Sequence, residues 1–128
     1  MLVQRAEDDK WAVPGGYMES GENFREACKR EVLEETGLEV NVRRLLSIYT
    51  SPHFLLEYPD GNKWQLVCLH FDAEIVGGKL RVSNETNAFG FFSLSEISDF
   101  DMHGVDRMRV RDGFIDAAET VIYDDFDV

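Results

Sequence analysis

The sequence predicts a mixed α/β sandwich formed by one domain, residues 1–128. A chain of 128 residues with 44% hydrophobic and 30% charged residues has the size and composition of a single globular domain. Segments with strand character occur before and after one central helical segment. Short turns join most of these strands as hairpins, which favours a sandwich over a doubly wound parallel sheet.

The first part of the chain predicts two short extended segments followed by the helix. Residues 1–5 have strand character, and residues 11–13 lead into a Pro-Gly-Gly breaker. The cap-forming residues 20–23 predict the start of the helix, which continues to Thr36. Gly37 is expected to end it, because glycine readily adopts the left-handed conformation found at helix C-termini.

The remaining chain predicts a β-rich region and a second helix. The apolar, β-branched and aromatic segments that indicate strands are residues 40–49, 54–58, 64–75, 79–82 and 89–94. The sequences PDGN and GG mark turns between them. An amphipathic helix is predicted around residues 105–118, with Gly113 as its weak point. The acidic tail, residues 123–128, is expected to be frayed and solvated.

The charge balance limits the partners of this chain. Its 25 Asp and Glu residues against 13 Lys and Arg give a formal net charge of −12. Binding a nucleic-acid polymer through its phosphates requires clustered basic residues, so no such partner is expected. An anionic small molecule is not excluded, because bound cations can reverse the local sign of the charge.

Cysteine usage and hydropathy indicate a cytoplasmic protein. Cys28 and Cys68 lie in apolar-patterned segments, which favours reduced core thiols over a disulfide. No segment of the sequence reaches the roughly 20 apolar residues of a membrane span. The first ten residues lack the apolar stretch of a signal peptide. We therefore expect a cytoplasmic location and no membrane partner.

Three carboxylates are crowded on one side of the predicted helix. At about 100° per residue, Glu31 and Glu35 share the sector of the apolar Ala27 and Val32, and Glu34 lies at its edge. Like charges at this spacing repel by a few tenths of a kcal/mol per pair. A partly buried carboxylate without a partner costs several kcal/mol or becomes protonated. The carboxylates therefore require compensating charge, unless they form an ordinary solvated face.

A divalent cation would supply the missing charge. Arg30 lies one turn from both Glu26 and Glu34, but a single arginine cannot satisfy all the carboxylates. Hard cations such as Mg²⁺ take oxygen ligands and commonly combine carboxylates with substrate phosphates. The position of the acids beside the apolar stripe therefore favours a metal site that recruits phosphate.

The spacing of residues 16–38 carries a family resemblance. The pattern is Gly16, five residues, Glu22, seven residues, Arg30-Glu31-Val32, one residue, Glu34-Glu35, one residue, Gly37-Leu38. It resembles the Nudix box, G-x5-E-x7-R-E-U-x-E-E-x-G-U with U aliphatic, at every fixed position. With background frequencies of about 5 to 8% per residue type, a chance match is far rarer than one in a million. Residues 2–16 and 84–97 also resemble the segments that flank the box in Nudix hydrolases.

This resemblance implies a Nudix-type α/β/α sandwich with a mixed sheet, in which the box forms a loop–helix–loop. It implies Mg²⁺-dependent hydrolysis, with Mn²⁺ as a substitute, of the pyrophosphate bond of a nucleoside diphosphate linked to another moiety. ADP-ribose, dinucleoside polyphosphates, nucleotide sugars and damaged nucleoside triphosphates all remain open as substrates. A homodimer is common among relatives. The alternative is a non-catalytic nucleotide sensor, although such domains usually lose the glutamates that are intact here.

The motif match also assigns roles to residues of the box. The implied metal ligands are the Gly16 carbonyl and the carboxylates of Glu31, Glu34 and Glu35. The implied catalytic set is Arg30, Glu31, Glu34 and Glu85. Arg30 would orient the glutamates, and Glu22 would support the box. For the general base the family offers two candidates, Glu31 in the box and Glu85 in a later polar loop, where a solvated turn residue is the alternative.

Three residues are candidate substrate contacts. Tyr17 is an aromatic residue that could stack on a nucleobase, although aromatics are more often core residues. Pro52 lies near the place where a proline is associated with ADP-ribose preference in the family. His53 could contact substrate or act as a base, or be a plain loop histidine.

The chain departs from the family pattern in two places. It begins close to the box, whereas the family usually has a further strand ahead of the one that residues 1–5 represent. Either the natural start is missing or the sheet has one strand fewer, and substrate contacts from that strand are then in doubt. Phe91 stands where a tryptophan is common, a change expected to preserve packing.

Overall fold

The computed structural model describes residues 1–115 and 117–126, which form two helices and six strands. In chain order these are β1 (Leu2–Arg5), β2 (Trp11–Ala12), α1 (Phe24–Thr36), β3 (Leu38–Glu57), β4 (Lys63–Gly78), β5 (Thr86–Gly90), α2 (Gly104–Phe114) and β6 (Val121–Tyr123). One three-stranded sheet has the order β2-β1-β5 and is antiparallel. The other has the order β4-β3-β6 and is mixed, because β6 runs parallel to β3. The predicted mixed α/β class is confirmed, with the strands divided between two sheets.

Local signals define both ends of α1. The Asn23 side chain accepts a hydrogen bond from the Glu26 amide at 2.9 Å, and the Glu26 carboxylate accepts one from the Asn23 amide at 3.0 Å. This capping box satisfies amide groups that have no partner inside the helix. At the other end Gly37 has φ 78°, and its amide donates to the Leu33 carbonyl at 2.9 Å. The predicted helix is therefore confirmed with its boundaries.

Two apolar clusters fix the helices to the sheets. Leu2, Ile97, Met102 and Val110 form the first, with Trp11, Val13, Phe92 and Phe100 packed against it. Val32, Leu38 and Val40 form the second, with Met1, Cys28 and Ala73 against it. Burying each large side chain stabilises the fold by about 1.5 to 3 kcal/mol. The second cluster anchors α1, so the carboxylates of the box lie on a fixed element.

The β-rich region differs from the sequence prediction in two ways. Residues 40–49 and 54–58 belong to the single strand β3, in which the pairing with β4 shifts register between Thr50 and Leu55. The predicted strand at residues 79–82 is wrong. The Lys79 amide donates to the Gly37 carbonyl at 3.0 Å, and the Arg81 amide donates to the Thr36 carbonyl at 2.9 Å. This segment therefore binds the end of α1 instead of a strand.

Two further elements begin or end earlier than predicted. The strand expected at residues 89–94 is β5, Thr86–Gly90, because it pairs with β1 over that range. Beyond Gly90 the Phe92 ring packs edge-on against Trp11 with 5.3 Å between ring centroids. The helix expected at residues 105–118 ends at Phe114. Gly113 near its end leaves space for His70, whose Cε1 would lie 3.7 Å from a Cβ at position 113.

The expectation of a frayed, solvated tail is wrong for residues 123–126. Tyr123 pairs with Tyr49 in the parallel ladder of β6 and β3, and the two rings stack with centroids 5.1 Å apart. The Ser51 hydroxyl donates to the Asp125 carboxylate at 2.9 Å. Phe126 packs against Tyr49 and Phe54. The aromatic residues of this segment thus find partners on the sheet, and residues 127–128 lie outside the described range.

A buried polar network joins β3, β4 and α2. The fully buried Tyr49 hydroxyl donates to Asp112 at 2.6 Å and accepts from Ser47 at 2.9 Å. The Ser47 hydroxyl also lies 3.2 Å from Nδ1 of His70. Burial, followed by the hydrogen bond to Asp112, raises the pKa of Tyr49. The network therefore holds neutral tyrosine and histidine side chains inside the fold.

The two cysteines and the two helices bear on the remaining sequence predictions. Cys28 and Cys68 are free and half-buried, as predicted for core thiols. Within the described part of the chain, neither helix is long and apolar enough to cross a membrane.

Candidate metal and catalytic site

A cleft of about 1260 Å³ contains two of the box carboxylates, Glu31 and Glu35, whereas Glu34 lies outside its lining. The lining comes from α1, α2 and both sheets, and its polar part includes Gly15, Gly16, Tyr17, Glu31, Glu35, Glu85 and Arg109. Apolar residues of β3 and β4, among them Val40 and Leu66, also line it. The cleft therefore combines charged groups with apolar surface that could contact an uncharged portion of a ligand.

Arg30 connects the loop before α1 to the glutamates of the helix. Its Nε donates to Glu22 at 2.5 Å, and its Nη1 donates to Glu31 at 2.9 Å and to Glu34 at 3.2 Å. Nη2 donates to the Tyr17 carbonyl at 2.9 Å. These bonds raise the pKa of Arg30, and the bond to Glu22 lowers the pKa of that carboxyl. The guanidinium group can thus orient three box glutamates at once.

Glu31 is pressed against the glycine turn. A Cβ added to Gly16 would lie 2.3 Å from Cδ of Glu31 and 2.4 Å from its Oε1. Only 14% of the Glu31 side chain is exposed. A side chain at position 16 would therefore displace the Glu31 carboxylate from its observed position.

Glu35 lies deeper and has little compensation for its charge. Its Oε2 accepts a hydrogen bond from the Gly15 amide at 3.3 Å. Burial, reinforced by the charges of Glu31 and Glu85, raises the pKa of Glu35 to about 7, against the lowering effects of the Gly15 bond and Arg109. Glu34 is more than half exposed. The prediction from helical periodicity is confirmed, since Glu31 and Glu35 face inward and Glu34 lies at the edge.

The donor chemistry fits a hard divalent cation. Carboxylate and carbonyl oxygens are the ligands that Mg²⁺ and Mn²⁺ prefer. Arg30 pairs with Glu31 and Glu34, whereas the buried Glu35 has no ion pair among the described residues and a raised pKa. Among residues 1–115 and 117–126, no three His, Cys, Asp or Glu side chains are already arranged around a common ion position. The assignment of Gly16, Glu31, Glu34 and Glu35 as ligands therefore stays a prediction.

The structure brings the second base candidate to the same cleft. Glu85 lines it together with Glu31 and Glu35. Its backbone is fixed, because its carbonyl accepts from the Ala6 amide at 2.9 Å and its amide donates to the Ser83 hydroxyl at 3.2 Å. The loop between β4 and β5 thus supplies an acidic side chain opposite the box helix.

The candidate substrate contacts are divided between two places. Tyr17 lines the cleft with 63% of its surface exposed. Pro52 and His53 lie in the irregular part of β3, where the His53 amide donates to the Ser51 hydroxyl at 3.1 Å, and they are not among the residues lining the cleft. The geometry therefore brings Tyr17, but neither Pro52 nor His53, to the carboxylates.

Sequence reasoning missed two residues of α2 that contact the turn. Nη1 of Arg109 pairs with Asp106 at 3.2 Å, and the Asp106 carboxylate accepts from the Val13 amide at 3.3 Å. Nη2 of Arg109 would lie 3.7 Å from a Cβ on Gly15. One feature of the sequence could have indicated these two residues. Asp106 and Arg109 have i, i+3 spacing and lie beside Val110, on the buried side of the predicted helix.

Together, the fold and the cleft define an α/β domain whose glutamate-rich helix offers an all-oxygen donor set beside a tight glycine turn. The sequence model of the NUDIX domain matches residues 1–112, and the chain belongs to this family. The family resemblance of residues 16–38 is thereby confirmed.

Two curated relatives illustrate the similarity in sequence. The ADP-ribose pyrophosphatase of Methanocaldococcus jannaschii is 35% identical over 107 residues, which cover 80% of this chain and 60% of the relative. A MutT-like protein of Streptomyces ambofaciens is 30% identical over 99 residues, covering 77% of this chain and 58% of the relative. The chain therefore spans about three fifths of the length of these relatives.

Solved structures show the same fold. An ADP-ribose pyrophosphatase from Streptococcus suis superimposes with a TM-score of 0.70 at 23% identity, covering 94% of this chain and 87% of the other. A NUDIX hydrolase from Nitrosomonas europaea superimposes with a TM-score of 0.75 at 24% identity, covering 96% and 70% respectively. At these identities the comparison supports the fold alone.

Proposed function

We propose that this chain hydrolyses the pyrophosphate bond of a nucleoside diphosphate linked to another moiety, with Mg²⁺ as cofactor and Mn²⁺ as a substitute. The observation that carries the proposal is the single cleft that contains Gly16, Glu31, Glu35 and Glu85. Membership of the NUDIX family supports the reaction class. Relatives named ADP-ribose pyrophosphatase and nucleoside triphosphatase support a nucleotide substrate.

The chain's residues divide the task between holding and orienting. The Gly16 carbonyl and the carboxylates of Glu31, Glu34 and Glu35 hold the cations. When bound, divalent cations supply positive charge for the diphosphate oxygens and lower the pKa of the attacking water. Arg30 keeps Glu31 and Glu34 in place through its bonds at 2.9 and 3.2 Å.

Two carboxylates can accept the proton of the attacking water. Glu31 accepts a hydrogen bond from Arg30 at 2.9 Å, which orients its carboxylate, and it lines the cleft, which supports it as a candidate base. Glu85 faces the cleft from the loop between β4 and β5 without being part of the box helix. The pH dependence of kcat/KM distinguishes the two candidates. Only replacement of the residue that acts as the base should remove the acidic limb of the pH profile.

ADP-ribose is the first substrate to test, because a relative with 35% identity bears that name. Nucleotide sugars, dinucleoside polyphosphates and damaged nucleoside triphosphates belong in the same panel. Tyr17 is exposed at the cleft, which supports stacking on a nucleobase as its role. A homodimer stays an expectation that rests on the family resemblance.

The test is a product-identified assay over this nucleotide panel with and without Mg²⁺. We expect cleavage that requires the metal, and a loss of at least about 100-fold in Glu34→Gln and Glu35→Gln. Circular dichroism should show that both variants stay folded. Glu74→Gln, at an exposed position of β4, is the matched control and should keep parental activity.

The opposite outcomes identify the alternative function. Parental turnover in both glutamate variants would overturn the ligand assignment. Nucleotide binding detected by thermal shift, without cleavage of any panel member, would make the chain a ligand sensor.

A further inference from the structure

We propose that Asp106 and Arg109 of α2 position the glycine turn that precedes α1. The turn comprises residues 13–16, and it carries the Gly16 carbonyl that the proposed function assigns to the metal. The inference therefore rests on the proposed function, and it adds two positioning residues from outside the box.

Two contacts bring α2 to the turn. The Asp106 carboxylate accepts a hydrogen bond from the Val13 amide at 3.3 Å, at the start of the turn. The Arg109 guanidinium lies near Gly15, where an added Cβ would be 3.7 Å from Nη2. The pair is joined internally by the 3.2 Å contact of Arg109 with Asp106. One part of the turn is thus hydrogen-bonded to the pair, and the next part lies close to it.

A contact from α1 completes the arrangement. Glu35 accepts a hydrogen bond from the Gly15 amide at 3.3 Å, so the box helix binds the middle of the turn. Asp106 of α2 binds the Val13 amide, and the Glu31 carboxylate of α1 lies close to Gly16. The turn therefore contacts both helices, and we expect a change on the α2 side to alter where the Gly16 carbonyl points.

Burial supports a positioning role over a purely stabilising one. The exposed fractions of the Arg109 and Asp106 side chains are 15% and 9%. Buried ion pairs are often no better for stability than apolar residues of the same volume, since both charges lose their hydration. The expected contribution of the pair is orientation, because the Asp106 oxygen that accepts the Val13 amide is the same oxygen that pairs with Arg109.

The contacts also distinguish this role from substrate binding. Nη1 of Arg109 pairs with Asp106, and Nη2 lies 3.7 Å from the position a Cβ on Gly15 would take. Its Nε is buried, with no hydrogen-bond partner among the described residues. Arg109 also lines the cleft, and we expect it to act through the position of Gly16 instead of touching a phosphate.

The experiment compares Arg109→Met with Arg111→Met on the full chain. Arg111 lies on the same helix with 59% of its side chain exposed, so its variant is the matched control. In the metal-free protein, we expect amide exchange at Val13 and Gly15 to become at least about 10-fold faster in Arg109→Met and unchanged in the control. Mn²⁺ affinity should fall by about 10- to 100-fold, as is typical when a supporting residue of a metal site is lost.

Kinetics and a conservative variant complete the test. At saturating Mg²⁺, Arg109→Met should lower kcat while KM for the nucleotide changes less than about threefold. Arg109→Lys keeps the charge but not the planar fork, and should recover only part of the Mn²⁺ affinity. This variant also serves if Arg109→Met does not fold.

Several results would overturn the inference. One is equal amide exchange at Val13 and Gly15 in Arg109→Met and Arg111→Met. A raised KM with parental Mn²⁺ affinity would instead make Arg109 a substrate contact. Full Mn²⁺ affinity in Arg109→Lys would show that the fork is not needed. If the parent chain binds Mn²⁺ but cleaves no nucleotide, the proposed function fails, whereas the exchange and affinity measurements still decide the role of Arg109.

Discussion

Arg30 and Arg109 contact the site from different helices and with different partners. Arg30 donates to the side chains of Glu22, Glu31 and Glu34. Arg109 pairs with Asp106 instead and lies near Gly15 of the turn. At the scale of single residues, one guanidinium group therefore orients the carboxylates, and the other is proposed to hold the carbonyl beside them.

The two neighbouring glycines of the turn should respond differently to a methyl group. In Gly16→Ala the new Cβ would lie 2.3 Å from Cδ of Glu31, a distance that forces the carboxylate to move. In Gly15→Ala the nearest atom, Nη2 of Arg109, is at an ordinary 3.7 Å. We expect Gly16→Ala to lose at least about 10-fold in kcat, because a misplaced reacting group is costly even at small displacements.

Steady-state kinetics and thermal unfolding of both alanine variants check this prediction. Gly15→Ala should retain clearly more activity than Gly16→Ala, while both keep melting temperatures close to the parent. Equal activity in the two variants would show that contact between Glu31 and position 16 is unimportant for the reaction.

At the scale of elements, the sequence predicted best what is decided locally. The bounds of α1 follow from Asn23, Glu26 and Gly37, all close neighbours along the chain. The fate of residues 79–82 depended on free carbonyls at Thr36 and Gly37, more than forty positions away. Strand-like composition cannot show whether a ladder partner is available, and for this segment the end of α1 took its place.

The C-terminal segment shows the same limit. Its acidic residues suggested solvation, but Tyr123 and Phe126 pack on Tyr49 of β3. Sequence composition averages over the segment, whereas packing depends on single aromatic side chains. The acidic composition of this segment therefore gave no indication of strand β6.

The buried His70, in the middle of β4, predicts a pH dependence of stability. Burial, followed by the charge of Arg109, lowers the pKa of His70 from 6.5 to about 4 against the raising effect of Asp112 and Asp72. Between these values the unfolded chain binds a proton that the folded chain does not. The free energy of unfolding should therefore fall as pH drops from 6.5 to 4, by up to about 3 kcal/mol from this residue alone.

Urea unfolding of the parent and His70→Gln over a pH series measures this contribution. The parent should lose more stability than the variant between pH 6.5 and pH 4.5, because glutamine has no proton to bind. Above pH 7.5 the difference between the two proteins should be constant. Parallel curves throughout the range would show that His70 is not kept neutral by the fold.

At the scale of the whole molecule, the chain combines a net charge of −12 with a proposed anionic substrate. Such a charge repels a diphosphate at long range and crowds carboxylates at the site. Bound divalent cations would relieve both effects, and cation binding should therefore stabilise the folded state by linkage. Bound metal ions would therefore reconcile the acidic charge of the chain with its proposed anionic substrate.

The candidate site could be predicted in its chemistry but not in its full extent. Periodicity showed that Glu31 and Glu35 face inward, since both lie on one helix. The bond between Val13 and Asp106 joins residues 93 positions apart, so it became visible only when α2 was placed beside the turn. Contacts between distant segments depend on the tertiary fold, and no local pattern carries them.

Calorimetric titration with Mn²⁺ of the parent and of a Glu31→Gln/Glu35→Gln double variant tests the central claim most directly. The account predicts saturable uptake and a higher melting temperature for the parent, and neither for the variant. Absence of uptake by the parent, even with ADP-ribose present, or equal uptake by both proteins, would contradict it.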